Sequence, residues 1–199
     1  MGGFKGSHSE YVRIPFVDHT AFTVPDGVDD LSAVFASDSA PTGWMGAHLG
    51  GVQPGDVVPV WGCGAVGQMA ARSAMILGAE RVIAGTPDGP RAHLARSDPR
   101  VPQGRKRVRP RCLRRPGRPL PHGRPHEQAL TLRGAQQHGE RYIPMLLDRI
   151  AAGELKTAHL ATHPMSLEQG ARGYDLFKNK KQNCLRAVFS PDGFSPNGG

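Results

Sequence analysis

"PVWGCGAVGQMAARSAMILGA", residues 59–79, reads as the end of an apolar strand, a glycine-rich turn and a helix. Gly62, Gly64 and Gly67 stand in GxGxxG spacing directly after the strand and directly before the helical pattern. In that setting each glycine has a separate task. The first permits a tight turn, the second lets a pyrophosphate approach the backbone, and the third lets helix and strand pack closely, while the helix N-terminus attracts the phosphates. Gly62, Gly64, Ala65, Val66 and Gly67 are therefore the candidate cofactor-binding residues. A glycine-rich turn in any α/β domain is the plainer alternative.

Outward from the turn, Val66, Met69, Ala70, Ile76 and Leu77 recur at helical spacing up to Gly78, which is placed to end the helix, and "RVIA" follows as a second strand. Residues 57–84 thus predict one β-turn-α-β crossover, the building block of a doubly wound parallel sheet. Pro59 is anomalous in a buried strand because it lacks a ladder donor. The acid that should follow about 20 residues on, to hold the adenosine ribose, is missing or displaced: Gly85 and Thr86 fill the strand end and Asp88 comes later in a Pro/Gly turn.

Upstream, "EYVRIPF" (10–16) alternates as a short strand, and "VPDGVDD" predicts a turn leading into a helix start before "LSAVFA". A break at Pro41 and a short helix from Thr42 to about Leu49 come next. Downstream, "ALTLRGAQQ" restores patterned sequence. "RYIPMLLDRIAAGEL" predicts a helix with Pro144 in its first turn and Gly153 as its stop. "SLEQGARGYDLFKNK" opens with Ser166 and Gln169 in capping-box spacing and sets Leu167, Ala171, Tyr174 and Phe177 near one face, and "CLRAVF" closes as a strand.

The formal net charge of +8 has one source. Residues 100–127 hold 10 of the 25 Lys and Arg and only Glu127 of the 17 acidic residues, which leaves the rest nearly neutral. Residues 85–127 show no apolar period and no aromatic residue, and are rich in Arg, Pro and Gly, a composition that cannot build a core. Non-specific nucleic-acid binding through residues 100–127 is one reading, since Arg runs neutralise phosphates, but the stretch lacks aromatics for stacking on bases. The three cysteines, odd in number and without CxxC, argue against a disulfide framework and fit a reducing cytoplasm. No apolar run reaches the roughly 20 residues a membrane helix needs, so no membrane is expected as a partner.

Three stretches, "GGFKGSHSEYVRIPF", "SDSAPTGWMGAHLGGVQPGDVVPVWGCGAVGQ" and "ALTLRGAQQHGERYIPMLLDRIAAGEL", resemble the zinc-dependent alcohol dehydrogenases of the medium-chain superfamily, above all the formaldehyde-dehydrogenase-like branch. The resemblance covers about residues 2–84 and 128–190 in the family's order. It implies an α/β fold, a partial Rossmann domain with a doubly wound parallel sheet, beside remnants of a GroES-like β-rich catalytic domain. The expected division is 1–40 for the catalytic-domain remnant, 41–84 for the first part of the Rossmann domain, 85–127 for the disrupted segment, and 128–199 for the end of the Rossmann domain with the return to the catalytic domain.

The resemblance implies NAD as cofactor, with NADP open, and an alcohol or aldehyde as substrate. It implies Asp38 of "SDSAPTG" as a zinc ligand, Thr42 as a catalytic-site residue near the nicotinamide, and Arg186 of "CLRAVF" as a cofactor-phosphate arginine. Each has a plainer alternative: Asp38 begins a turn or caps a helix, Thr42 is an N-cap, and Arg186 is a solvated strand-end charge. The Cys and His that complete the family's zinc site have no counterpart, and His8 and His19 do not match them. The expectation is a truncated, internally disrupted dehydrogenase with little turnover alone, its middle having the composition of GC-rich codons read out of frame. A homo-oligomer, or docking on an intact dehydrogenase, is the alternative partnership.

Overall fold

The computed structural model describes residues 6–85, 133–136 and 138–192. Thr86, Asp88, the basic stretch 100–127 and most of "ALTLRGAQQ" lie outside the described residues. The chain divides into two compact units, Met1–Phe35 with Leu147–Gly199, and Ala36–Leu146. In chain order the elements are α1 (Val17–Thr20), α2 (Asp30–Ala33), α3 (Ser39–Leu49), β1 (Val57–Trp61), α4 (Ala65–Ile76), β2 (Arg81–Gly85), α5 (Gly139–Ala151), β3 (His163–Ser166), α6 (Gly170–Lys178) and β4 (Ala187–Ser190).

In the unit spanning residues 36–146, β1 and β2 pair in parallel, Val57 opposite Arg81 and Trp61 opposite Gly85, with α4 as the crossover between them. This is the expected β-turn-α-β unit. Val58, Val60, Ala70, Ala74 and Ala79 form its core with Ala47 and Val52. Small residues dominate because α3 lies very close to α4: a Cβ on Gly43 would stand 2.6 Å from the Met69 Cβ and the Ala70 nitrogen. The end of α4 has a physical stop. Gly78 takes φ +96°, its N–H donates to Met75 O at 3.0 Å, and Ala79 N–H reaches back to Ala74 O at 3.0 Å, closing a Schellman motif.

Pro59 is buried within β1, and the ladder explains how. Gly62 N–H donates to Gly85 O at 2.7 Å, and alternate residues of a parallel strand address the same neighbour. Val58 and Val60 therefore face β2, while Pro59 turns its missing donor to the opposite edge.

The other unit is built on a second parallel pair, β3 with β4, bridged by α6. Ser166 and Gln169 form the expected capping box, with Ser166 N–H donating to Gln169 Oε1 at 3.2 Å. Leu155, Leu160, Met165 and Leu176 are buried there. Asp29 caps α2: its carboxylate accepts from the Ser32 hydroxyl at 2.7 Å and the Ser32 N–H at 2.9 Å, and the hydroxyl contact leads the causes that hold its pKa below the ordinary range.

Several expectations fail locally. Residues 10–16 form no strand; Tyr11, Val12, Ile14 and Phe16 are all exposed, and no neighbouring strand among the described residues takes up their alternation. The third helix starts at Ser39, so Pro41 sits in its first turn and does not break it, and Thr42 lies inside the helix and is no N-cap. α5 starts earlier than expected, which moves Pro144 past the first turn; the proline is exposed, and the donor it lacks would have served Glu140. Gly153 ends α5 as foreseen, with φ +73°. On α6 the buried residues are Gly173 and Leu176, whereas Tyr174 and Phe177 are exposed, because the sheet is approached through the glycine: a Gly173 Cβ would stand 2.5 Å from Phe189 Cζ.

Candidate functional site

The turn between β1 and α4 has the geometry its glycines predict. Gly62 adopts φ +102°, a left-handed conformation that L side chains rarely enter. Gly67 is pressed against it: a Cβ there would lie 1.7 Å from the Gly62 carbonyl oxygen. No side-chain rotation relieves a clash with backbone, so position 67 admits only glycine. Gly64 is the N-cap of α4, offers no side chain to the first turn, and has open space where its Cβ would point.

The consequence is a helix start that no N-cap side chain satisfies. The first N–H groups of an α-helix have no intrahelical acceptor. Gln68 N–H finds Gly64 O at 2.9 Å, which begins the helical ladder, and the donors of Ala65, Val66 and Gly67 precede it. Partial positive charge at the helix start and an unfilled gap beside Gly64 suit the oxygens of a phosphate. Ala65 itself is buried, and Val66 is half-buried. Gln68 was not legible as part of this turn; its Nε2 donates to Cys63 O at 3.0 Å and braces the residue between the first two glycines. Its position inside the helix gives no sequence signal for a contact made back to the turn.

Asp38 and Thr42 come together. Asp38 stands at the N-cap position of α3, exposed, and its Oδ1 accepts from Thr42 Oγ1 at 3.1 Å, while its carbonyl accepts the Thr42 N–H at 3.0 Å. Catalytic zinc takes three protein donors and an open position. No group of three or more His, Cys, Asp or Glu disposed around a common point occurs among the described residues. The described donor set therefore does not fit zinc.

Arg186 belongs to the other unit. Its guanidinium lies 5.2 Å from the Phe177 ring centroid and Nη1 donates to Leu185 O at 3.3 Å. His8 meets Tyr174 OH through Nδ1 at 2.8 Å, and His19 is exposed on α1. Cys63 and Cys184 are free thiols. No described helix is long and apolar enough to cross a membrane.

Comparison with known proteins agrees with the fold. No protein-family model matches the chain. Over 101 residues it is 43% identical to a glutathione-independent formaldehyde dehydrogenase of Bacillus subtilis, an alignment covering 49% of this chain and 25% of that protein. A zinc-type alcohol dehydrogenase-like protein of the same organism is 23% identical over 257 residues, covering 96% of this chain and 68% of its own length. Among solved structures, an alcohol dehydrogenase from Thermus sp. ATN1 superposes with a TM-score of 0.78 at 24% identity, over 93% of this chain and 67% of that one. The chain thus spans a quarter to about two thirds of the length of these proteins, and its partial α/β fold with a small parallel sheet matches the alcohol dehydrogenase fold. By sequence and by fold, the chain is similar to formaldehyde dehydrogenases and zinc-type alcohol dehydrogenases.

Proposed function

We propose that the unit of residues 36–146 binds a nicotinamide dinucleotide, with the pyrophosphate over Gly62, Gly64, Ala65, Val66 and Gly67. The observation that carries this reading is the fit of Gly67 against the Gly62 carbonyl, which sets the helix start close under the strand end with the Gly64 side open. A dinucleotide, when bound, supplies a hydride acceptor for oxidation of an alcohol or aldehyde hydrate. The protein's part is to bind and orient. The α4 donors fix the phosphates, and the Thr42 hydroxyl, held by Asp38, is the candidate for the nicotinamide end.

No step is derived through zinc. The described residues offer Asp38 alone from the expected ligand set, engaged with Thr42. We therefore propose that the chain retains dinucleotide affinity without appreciable alcohol or formaldehyde oxidation. The reading is tested by measuring NADH binding through nucleotide fluorescence and, on the same preparation, reduction of NAD by formaldehyde or ethanol with added zinc. Saturable binding of one NADH per chain with turnover at the no-protein level is expected. Absence of binding would remove the dinucleotide reading, and zinc-dependent turnover would remove the statement about activity.

A further inference from the structure

One histidine fastens the N-terminal segment to α6 and β4. His8 Nδ1 meets Tyr174 OH at 2.8 Å, the His8 ring stands edge-on to Phe189 at 5.2 Å, and Tyr174 stacks on Phe189 at 6.2 Å. Beyond that anchor, Tyr11, Ile14 and Phe16 are 91%, 52% and 79% exposed, and on α6 Tyr174 and Phe177 are 58% and 46% exposed. Single exposed apolar side chains are ordinary, but several large ones on two segments joined by a direct contact mark an interaction surface.

The charges around them are sorted by sign. Residues 14–35 hold four Asp and no Lys or Arg, whereas residues 172–186 hold five Lys and Arg against Asp175 alone. The four aspartates are exposed, as are Arg172, Lys178, Lys180 and Lys181. The Lys181–Asp175 ion pair, at 2.8 Å, joins two residues of the basic stretch and leaves the imbalance between the stretches in place. One compact unit, Met1–Phe35 with Leu147–Gly199, thus carries both an acidic-apolar and a basic-apolar stretch.

We propose that this unit docks on a second copy of the chain about a two-fold axis, the acidic stretch of each copy meeting α6 and the basic stretch of the other. Self-complementarity selects the partner. A two-fold contact presents every patch twice, so opposite charges on one unit are matched in both halves at once. A partner of single sign would satisfy one stretch and be repelled by the other. Exposed ion pairs add little affinity each; the aromatic and aliphatic side chains supply the burial and the charges fix the register. None of these residues belongs to the glycine turn, so the proposal stands apart from dinucleotide binding.

Sedimentation equilibrium on the full chain tests it, with circular dichroism to compare folding. The mass should be twice the 21.3 kDa of one chain, with a dissociation constant that rises as salt is added. Phe16→Ser combined with Phe177→Ser should weaken the dimer at least about tenfold. Two charge-reversed chains test the same surface without touching its apolar side chains: Asp18→Lys with Asp26→Lys, and Lys178→Glu with Lys180→Glu. Each alone should be monomeric where the unmodified chain is dimeric. Their equimolar mixture should regain the dimer, because the reversed charges meet their opposites only in the mixed pair.

An unmodified chain that stays monomeric up to about 100 µM would overturn the proposal and leave the surface to a different partner. Open-ended association would overturn the two-fold contact. A dimer indifferent to the serine pair and to both charge reversals would place the interface elsewhere, and a mixture of the two reversed chains that stays monomeric would refute the pairing of acidic with basic stretch.

Discussion

Among the described residues are two β-α-β segments of similar length, residues 57–85 and 163–190, each with a parallel pair of strands and a helix between them. They differ at the helix start. In 57–85 a glycine turn leads into α4 with a side-chain-free N-cap and open space beside Gly64. In 163–190 the strand runs straight into a 3₁₀ turn at Leu167–Gln169, where Ser166 and Gln169 satisfy each other's backbone donors. The same topology therefore produces one helix start available to an anion and one closed by its own side chains. A parallel crossover alone does not leave a helix start uncapped; the absent side chain at its N-cap does.

The most damaging change to this contrast is Gly67→Val, which drives a side chain into the Gly62 carbonyl. Chemical denaturation should show a loss of about 3 kcal/mol or more, with NADH binding abolished. Gly173→Ala is its counterpart in the second segment, but the obstacle there is the Phe189 ring, which can rotate. About 2 kcal/mol of destabilisation is expected, with NADH affinity retained, so equal losses for the two variants would show that the backbone contact at Gly67 is not special.

Gly64→Ala sharpens the comparison from the binding side. Its backbone is extended, φ −71° and ψ 179°, and the added methyl meets no protein atom, so thermal stability should hold while NADH affinity drops about tenfold. Ser166→Ala should do the reverse. Loss of the capping box should cost about 1 kcal/mol in denaturation and leave the NADH titration superimposable on that of the unmodified chain.

The smallest expected effect concerns Asp175 at the end of α6. The Lys181 ammonium, at 2.8 Å, and the Asn179 amide, at 2.6 Å, hold its carboxyl below the ordinary range. A depressed folded-state pKa stabilises above the unfolded value and is lost as pH falls through the folded one. The melting-temperature gap between the unmodified chain and Asp175→Asn should therefore be present at neutral pH and close as pH falls below the ordinary carboxylate range. A gap that widens on acidification would contradict the assignment.

Local chemistry was legible wherever one residue type sufficed. Gly78 and Gly153 end α4 and α5 because each supplies a left-handed backbone, and Ser166 with Gln169 announces its cap by spacing alone. Elements that depend on a distant neighbour were not. β3, "HPMS", is short and contains Pro164, so nothing in its composition declares a strand; it exists because β4 pairs with it across α6. Conversely, residues 10–16 carry the right alternation and find no strand to join among the described residues.

The site divides along the same line. GxGxxG between a strand and a helix foretold the turn, because Gly62 and Gly67 answer steric demands that glycine meets. Spacing could not foretell that Asp38 would spend its carboxylate on Thr42, that Gln68 would brace Cys63, or that Pro59 would face its missing donor away from β2. Sequence alone determined the backbone at the glycine turn and the glycine helix stops, since these follow from each residue's own sterics. Tertiary structure decided the partners, because which donor meets which acceptor depends on how remote segments are packed together.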